Sequence, residues 1–275
     1  MMTIQLKDLN LLHSESYIDG KWVGATDQFA VEDPATGDGL IQVANHGEAE
    51  TKQAITAAQL AQPSWARLSV KERGAILRRW HDLVIANQED LAVIMTHEQG
   101  KPLAESRGEI LYAAAFIEFY AEEAKRLYGE VLPSPSNDRR LLALKQPIGV
   151  GAGITPWNFP SAMITRKAAP ALAAGCAMVM KPAESTPLSA LALAELAERA
   201  GMPAGVFNIV VGRNPAPIGQ ALCEDERVRA LSFTGSTAVG KRLLAAMADT
   251  SKKLLWNYGA MRRLSYLKMP IWSSP

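Results

Sequence analysis

Three short segments in the second half of the chain hold residue types suited to polar chemistry. The first, Thr155-Pro156-Trp157-Asn158-Phe159-Pro160, sets an indole and a carboxamide between two prolines. Proline fixes φ, so this turn is rigid; it either offers Trp157 and Asn158 to a ligand or packs the indole in a core. The second, Lys181-Pro182-Ala183-Glu184, separates a cation from a carboxylate by one turn after an apolar run. At a strand end such a carboxylate accepts both hydroxyl protons of a ribose diol; elsewhere the pair is a solvated one. The third, Phe233-Thr234-Gly235-Ser236-Thr237-Ala238-Val239-Gly240, runs from a strand end through small residues into a helix start near Ser236. Free N–H groups and the positive dipole end of a first helical turn receive phosphate, although Gly-Ser-Thr is also a plain cap. A strand running into Gly212, from Phe207 onward, adds little alone, and the three-glycine dinucleotide fingerprint is absent.

The elements that must position these segments follow from periodicity. Short apolar runs at Ile148–Ile154, Ala177–Met180, Val206–Val211 and Val228–Phe233 alternate with helical stretches, the pattern of a doubly wound α/β fold with a parallel sheet covered on both faces. Between them, Thr186 reads as a helix cap, with Pro187 at the first helical position and Gly201 just past the end. Upstream, Tyr17 to Val23 holds Asp19-Gly20 between strand-prone pieces, a tight hairpin, and a second β segment surrounds Asp33 to Gly37. Helices are expected over Glu48–Ala61, from the Ser69/Glu72 capping box through Val84, over Asp90–Gln99 and over Leu103–Leu127. The stretch 129–147, with Pro133 and Pro135 around a polar turn, reads as an extended excursion.

Composition narrows the class. The 275 residues are 48% hydrophobic and 21% charged, a folding composition. Lys and Arg total 29 against 28 Asp and Glu, so no basic excess points to a nucleic acid. The longest apolar stretch, Ala168 to Met180, is broken by Pro170 and falls short of the roughly 20 residues a membrane helix needs, so no membrane association is expected. Two cysteines, Cys176 and Cys223, make no disulfide framework and fit a reducing cytoplasm. His13, His46, His81 and His97 are too scattered to suggest a metal site.

Taken in order, Thr155–Pro160, Lys181–Glu184 and Phe233–Thr237, together with Glu98-Gln99-Gly100-Lys101-Pro102, strongly resemble the aldehyde dehydrogenase superfamily. The pieces Ala162–Lys167 and Ala171–Cys176 look most like its succinate-semialdehyde dehydrogenases. The resemblance spans about Tyr17 to Leu255 and implies a Rossmann-like cofactor domain from 1–128 and 148–255, with 129–147 as an oligomerisation strand. It implies NAD, with NADP possible, and a homo-oligomer acting on a small semialdehyde, succinate semialdehyde before glutarate semialdehyde. Asn158 matches the carboxamide that stabilises the oxyanion formed when a Cys thiolate attacks the aldehyde. Thr155, Pro156, Trp157, Pro182, Ala183 and Gly212 match the cofactor channel, and Lys181 and Glu184 match the pair on the adenosine ribose. Gly235, Ser236 and Gly240 match the helix start under the pyrophosphate. Arg166 matches an arginine that pairs with the substrate's distal carboxylate. Eight residues after Asn158, it would stand roughly 12 Å along a helix if the whole interval were helical.

The pattern departs from the family after Leu255. A Leu-Glu-Leu-Gly-Gly-type segment bearing the general base, and later the nucleophilic Cys, should follow, yet the chain reads Trp256-Asn257-Tyr258-Gly259-Ala260 and ends at Pro275 without them. Neither Cys176 nor Cys223 has the nucleophile's context. The expectation is therefore a chain without the catalytic domain, inactive as written, with 256–275 an aberrant tail. Back-translation from Trp256, read one nucleotide earlier, permits Leu-Glu-Leu, then Arg or Trp, then Gly-Asn-Ala-Pro-Leu-Ile-Val-Phe, which points to a frameshift after codon 255. Resequencing the gene tests this: a reading frame that cannot yield that peptide overturns it.

Overall fold

The computed structural model describes residues 4–248, 250 and 252–258. A hairpin of β1 (Ser16–Ile18) and β2 (Lys21–Val23) comes first. It turns at Asp19 and Gly20, both left-handed at φ 55° and 69°, as the Asp-Gly pair requires. A second antiparallel pair, β3 (Gln28–Glu32) and β4 (Gly39–Ala44), flanks the Asp33–Gly37 turn. Four helices follow: α1 (Glu48–Arg67), α2 (Val70–Ala86), α3 (Gln88–Gln99) and α4 (Leu103–Glu123). α1 runs past its expected end at Ala61 and through Pro63, because its last turns are tied down from outside. Gln62 donates to the Gly175 carbonyl, and the buried Trp65 donates from Nε1 to Leu172 O at 2.9 Å.

An antiparallel ribbon of β5 (Glu130–Leu132) and β6 (Leu141–Ala143) leads into the alternating half. There the order is β7 (Val150–Ile154), α5 (Ala162–Ala173), β8 (Ala177–Lys181), α6 (Leu188–Arg199) and β9 (Phe207–Ile209). It continues with α7 (Pro215–Glu224), β10 (Val228–Gly235), α8 (Thr237–Ala246) and β11 (Lys253–Tyr258). The main sheet has the order β11-β10-β7-β8-β9-β1-β2. Strands β11 to β9 run parallel, the doubly wound α/β arrangement expected; the N-terminal hairpin extends it antiparallel through β1 on β9, making the sheet mixed. Trp256 to Tyr258, at the start of what the sequence marks as an aberrant tail, pair with Phe233 to Gly235; the ladder is made by the backbone and needs no side-chain alternation. The rest of the tail lies outside the described residues.

Strand alternation divides the interior into two cores. Met178 and Met180 point into one, with α5, α6 and the outer layer α2 to α4; Ala177 and Val179 point into the other, with α1 and α7. On β7, Gly151 and Gly153 stand beside the methionines, and a Cβ at either would lie 2.7 Å or less from Met178 or Met180 sulfur. The glycines thus leave room for long, adaptable side chains from the neighbouring strand. Among the described residues, no helix is long and apolar enough to cross a membrane.

The start of α6 departs from expectation. Pro187 is its N-cap and Gly201 lies beyond its end at φ 86°, but the Thr186 hydroxyl is buried without a partner. The first N–H groups go instead to Glu98 on α3: Leu188 N donates to Oε2 at 2.7 Å and Ser189 N to Oε1 at 2.8 Å. Burial pushes the Glu98 carboxyl up, to about 8, against the pull of those donors. A carboxylate from another helix has displaced the local cap, which spacing along one segment cannot show. Glu98→Ala should lower the unfolding free energy by about 2–6 kcal/mol, at about 1–3 kcal/mol for each of two orphaned buried N–H groups. Thr186→Ala should cost much less; denaturant unfolding of the two variants checks the order.

Candidate functional site

Strand order decides where a ligand can sit. From β7 the chain moves outward through β8 to β9, then returns to place β10 on the other side of β7. The carboxyl ends of β7 and β10 therefore meet at a switch point, where helices leave in opposite directions and open a crevice. Thr155 to Pro160 emerges from one strand there and Gly235-Ser236 from the other. Ser236 caps α8, its Oγ accepting from Val239 N at 3.4 Å, and residues 236–239 of that first turn are exposed at the sheet end. Gly240 is buried in that turn.

The turn after β7 is held from below. Lys101 Nζ donates to the Asn158 carbonyl at 3.0 Å and lies 4.6 Å from the centre of the Phe159 ring. The same ammonium pairs with Glu109, whose other oxygen receives Ser161 N and Ala162 N at 3.0 and 3.2 Å. A buried ion pair thus seats both the Asn158 turn and the start of α5. Trp157 stands 57% exposed at the crevice rim, while Thr155 Oγ1, Asn158 Oδ1 and Ser161 Oγ are buried without hydrogen-bond partners. Helix α5 begins only at Ala162, so the 12 Å helical spacing expected between Asn158 and Arg166 does not apply. Pro160 restricts Phe159 against the helical region and delays the start.

At the end of β8, Lys181 is buried, with Nζ donating to Pro182 O at 2.8 Å and to Glu184 Oε2 at 3.4 Å. Burial pushes its ammonium pKa down, and Glu184 pulls it back up. Glu184 itself is exposed, with Ser185 and Arg213 around a surface pocket of about 370 Å³; Pro182 and Ala183 are buried behind it. Gly212 has a packing reason: a Cβ there would lie 2.2 Å from the His46 carbonyl. A second pocket, about 270 Å³, opens between α7 and α8 and is lined by Pro215, Ala216, Gly219, Val239 and Leu243 among others. Sequence reading missed this slot, because its walls come from two helices and its mostly apolar lining carries no motif.

Lys167 was missed too, although it sits beside Arg166 in a quoted motif. Its Nζ donates to Thr234 Oγ1 at 2.7 Å and Ser232 Oγ at 3.0 Å, tying α5 to the end of β10. Arg166 is half-buried. The thiols are ill placed for nucleophilic work: burial pushes Cys176 up and Cys223 up to about 11, opposite to a reactive thiolate.

The sequence matches the aldehyde dehydrogenase family over residues 22–264. It is 56% identical over 258 residues to a glutarate-semialdehyde dehydrogenase of Pseudomonas aeruginosa, covering 93% of this chain and 53% of that protein. It is 55% identical to the NADP(+) succinate-semialdehyde dehydrogenase GabD of Escherichia coli, again covering 93% and 53%. The crystal structure of a succinate-semialdehyde dehydrogenase from Burkholderia pseudomallei superposes with a TM-score of 0.89 at 58% identity, covering 91% of this chain and 52% of that one. The chain spans about half the length of the curated relatives it matches.

The buried amine yields a pH prediction. Burial first, then the Arg166 charge, lowers Lys167 from 10.5 to about 8. The folded state therefore favours the neutral amine, a contribution to stability present above the unfolded value and lost as pH falls through about 8. Unfolding free energy should rise by up to about 1.4 kcal/mol per pH unit between those limits, and Lys167→Met should remove that increment. Urea unfolding of both chains at several pH values checks it; parallel slopes would contradict the assignment.

Proposed function

The chain belongs to the aldehyde dehydrogenase family, and from that premise we propose that it supplies the dinucleotide half of an aldehyde-oxidising site. The proposed substrate is succinate semialdehyde, with glutarate semialdehyde the nearest competitor. The observation that carries this reading is the convergence of the Asn158 turn and the capped start of α8 at the β7/β10 switch point.

The residues fit a dinucleotide. The α8 start, with Gly235, Ser236 and Gly240, suits a pyrophosphate, and the apolar slot between α7 and α8 suits an adenine ring. Glu184 accepts hydrogen bonds from the ribose diol while Lys181 orients it. Thr155, Pro156, Trp157, Pro182, Ala183 and Gly212 shape the channel. When bound, nicotinamide takes up a hydride. The Asn158 carboxamide donates to the developing oxyanion, and Lys101 fixes the backbone that aims it. Arg166 receives the distal carboxylate. NAD is preferred because the Glu184 carboxylate repels a 2′-phosphate; Lys181 leaves NADP possible, and the E. coli relative is named for NADP(+).

A second reading has a specific observation behind it. The chain contains two cysteines, both buried with raised pKa values, and no other residue of it matches the family's nucleophile. On this reading the chain alone binds dinucleotide and does not turn over. The reduced cysteines accord with a cytoplasmic setting. The β5–β6 ribbon, with Val131 75% and Leu142 66% exposed, suits joining a second copy.

NADH fluorescence titration of the purified chain tests the binding site. Gly219→Leu, which fills the α7/α8 slot, should weaken NADH at least about tenfold with an unchanged circular dichroism spectrum. Unaltered affinity would remove the slot from the reading, and tighter NADP than NAD binding would remove the cofactor preference. With succinate semialdehyde and NAD, absorbance should stay at the no-protein blank; turnover above it would overturn the noncatalytic reading of the chain alone.

A further inference from the structure

Arg166 lies over one aromatic ring and makes no ion pair among the described residues. Its guanidinium carbon stands 5.3 Å from the centre of the Phe116 ring, and its one side-chain hydrogen bond is a weak one, to Met163 Sδ at 4.0 Å. Phe116 is braced by Tyr112, one turn earlier on α4, with ring centres 4.7 Å apart at 57°. Four of the five acidic residues of α4 are engaged elsewhere, and Glu105 lies exposed in its first turn. Glu109 holds Lys101 and the start of α5; Glu118 and Glu122 hold Arg78; Glu123 holds Arg126. Burial first, and then the nearby Arg166 charge, depress Lys167.

A guanidinium is planar by resonance, so one held over a ring face is limited in how it turns, and its edge N–H groups are what a carboxylate engages with two parallel hydrogen bonds. The ring also shields one face of the cation from water, strengthening whatever the edge binds. We propose that Phe116, braced by Tyr112, is a positioning residue that holds Arg166 flat and open as a carboxylate receptor. This rests on the anchor role given to Arg166 above and adds a specificity element on α4, which none of the three segments at the sheet ends contains. An aliphatic residue at 116 would fill the space and leave the guanidinium free to rotate.

The test uses the full chain, labelled with nitrogen-15, and follows the Arg166 Nε–Hε resonance, assigned by its loss in Arg166→Lys. In the free chain that resonance should be shifted upfield by the Phe116 ring. Succinate should move it, and butanamide, of similar size and uncharged, should not. Phe116→Leu should abolish the upfield shift and weaken succinate about fivefold, while Phe116→Tyr should retain both. Succinate binding lost in Arg166→Ala but undiminished in Phe116→Leu would overturn the shelf and leave the anchor standing. Succinate binding undiminished in Arg166→Ala would overturn the anchor and, with it, the receptor built on it.

Discussion

The buried ion pair between Lys101 and Glu109 is the contact on which the site depends. Its two partners do more than neutralise each other: Lys101 holds the Asn158 carbonyl, and Glu109 receives the first N–H groups at the start of α5. Breaking such a pair leaves an uncompensated charge in the interior, a cost of about 3–5 kcal/mol. Here it would also free the turn that carries the carboxamide. Glu98 performs the matching task at α6. The outer helical layer thus reaches inward with two carboxylates and fixes the helices that follow β7 and β8. Helices that read as scaffold in the sequence are what aim the sheet ends.

Much of this frame was legible because it is local. The Asp19-Gly20 turn, the Ser69/Glu72 box, the apolar strands and the Ser236 cap each declare themselves within a few residues. What escaped was every contact between distant segments. Thr186 lost its cap role to Glu98, 88 positions away by sequence number; Lys167 reaches Thr234, and Lys101 reaches Asn158. Polar pairs of this kind have no periodicity, so only the fold brings them together. The slot between α7 and α8 escaped for a different reason, since Pro215, Gly219, Val239 and Leu243 are ordinary packing residues until two helices stand slightly apart.

The two cores explain why the chemistry collects at one end of the sheet. Along β7, and along β8 up to Met180, every side chain is committed to one core or the other, with glycine opposite methionine where space is shortest. No position within the strands remains for a ligand. On these two strands polar residues enter only where the strands stop, and strand order makes β7 and β10 the pair whose ends diverge. The position of the candidate site is therefore a consequence of packing and connectivity together.

The turn after β7 shows what that placement costs. Thr155 Oγ1, Asn158 Oδ1 and Ser161 Oγ, three polar atoms within seven residues, are buried without partners. Each such atom costs about 1–3 kcal/mol unless something supplies the missing hydrogen bond. Folding alone would be better served by alanine or valine, because the turn is already held by Lys101 and Glu109 and gains nothing from the side-chain oxygens. The proposed binding role gives these oxygens a reason that folding alone does not, because a bound group could supply what the rigid turn leaves unmet. That combination of a turn fixed by Lys101 and Glu109 with three orphaned oxygens, more than any single residue in the run, is what favours a binding turn over a proline-rich packing turn.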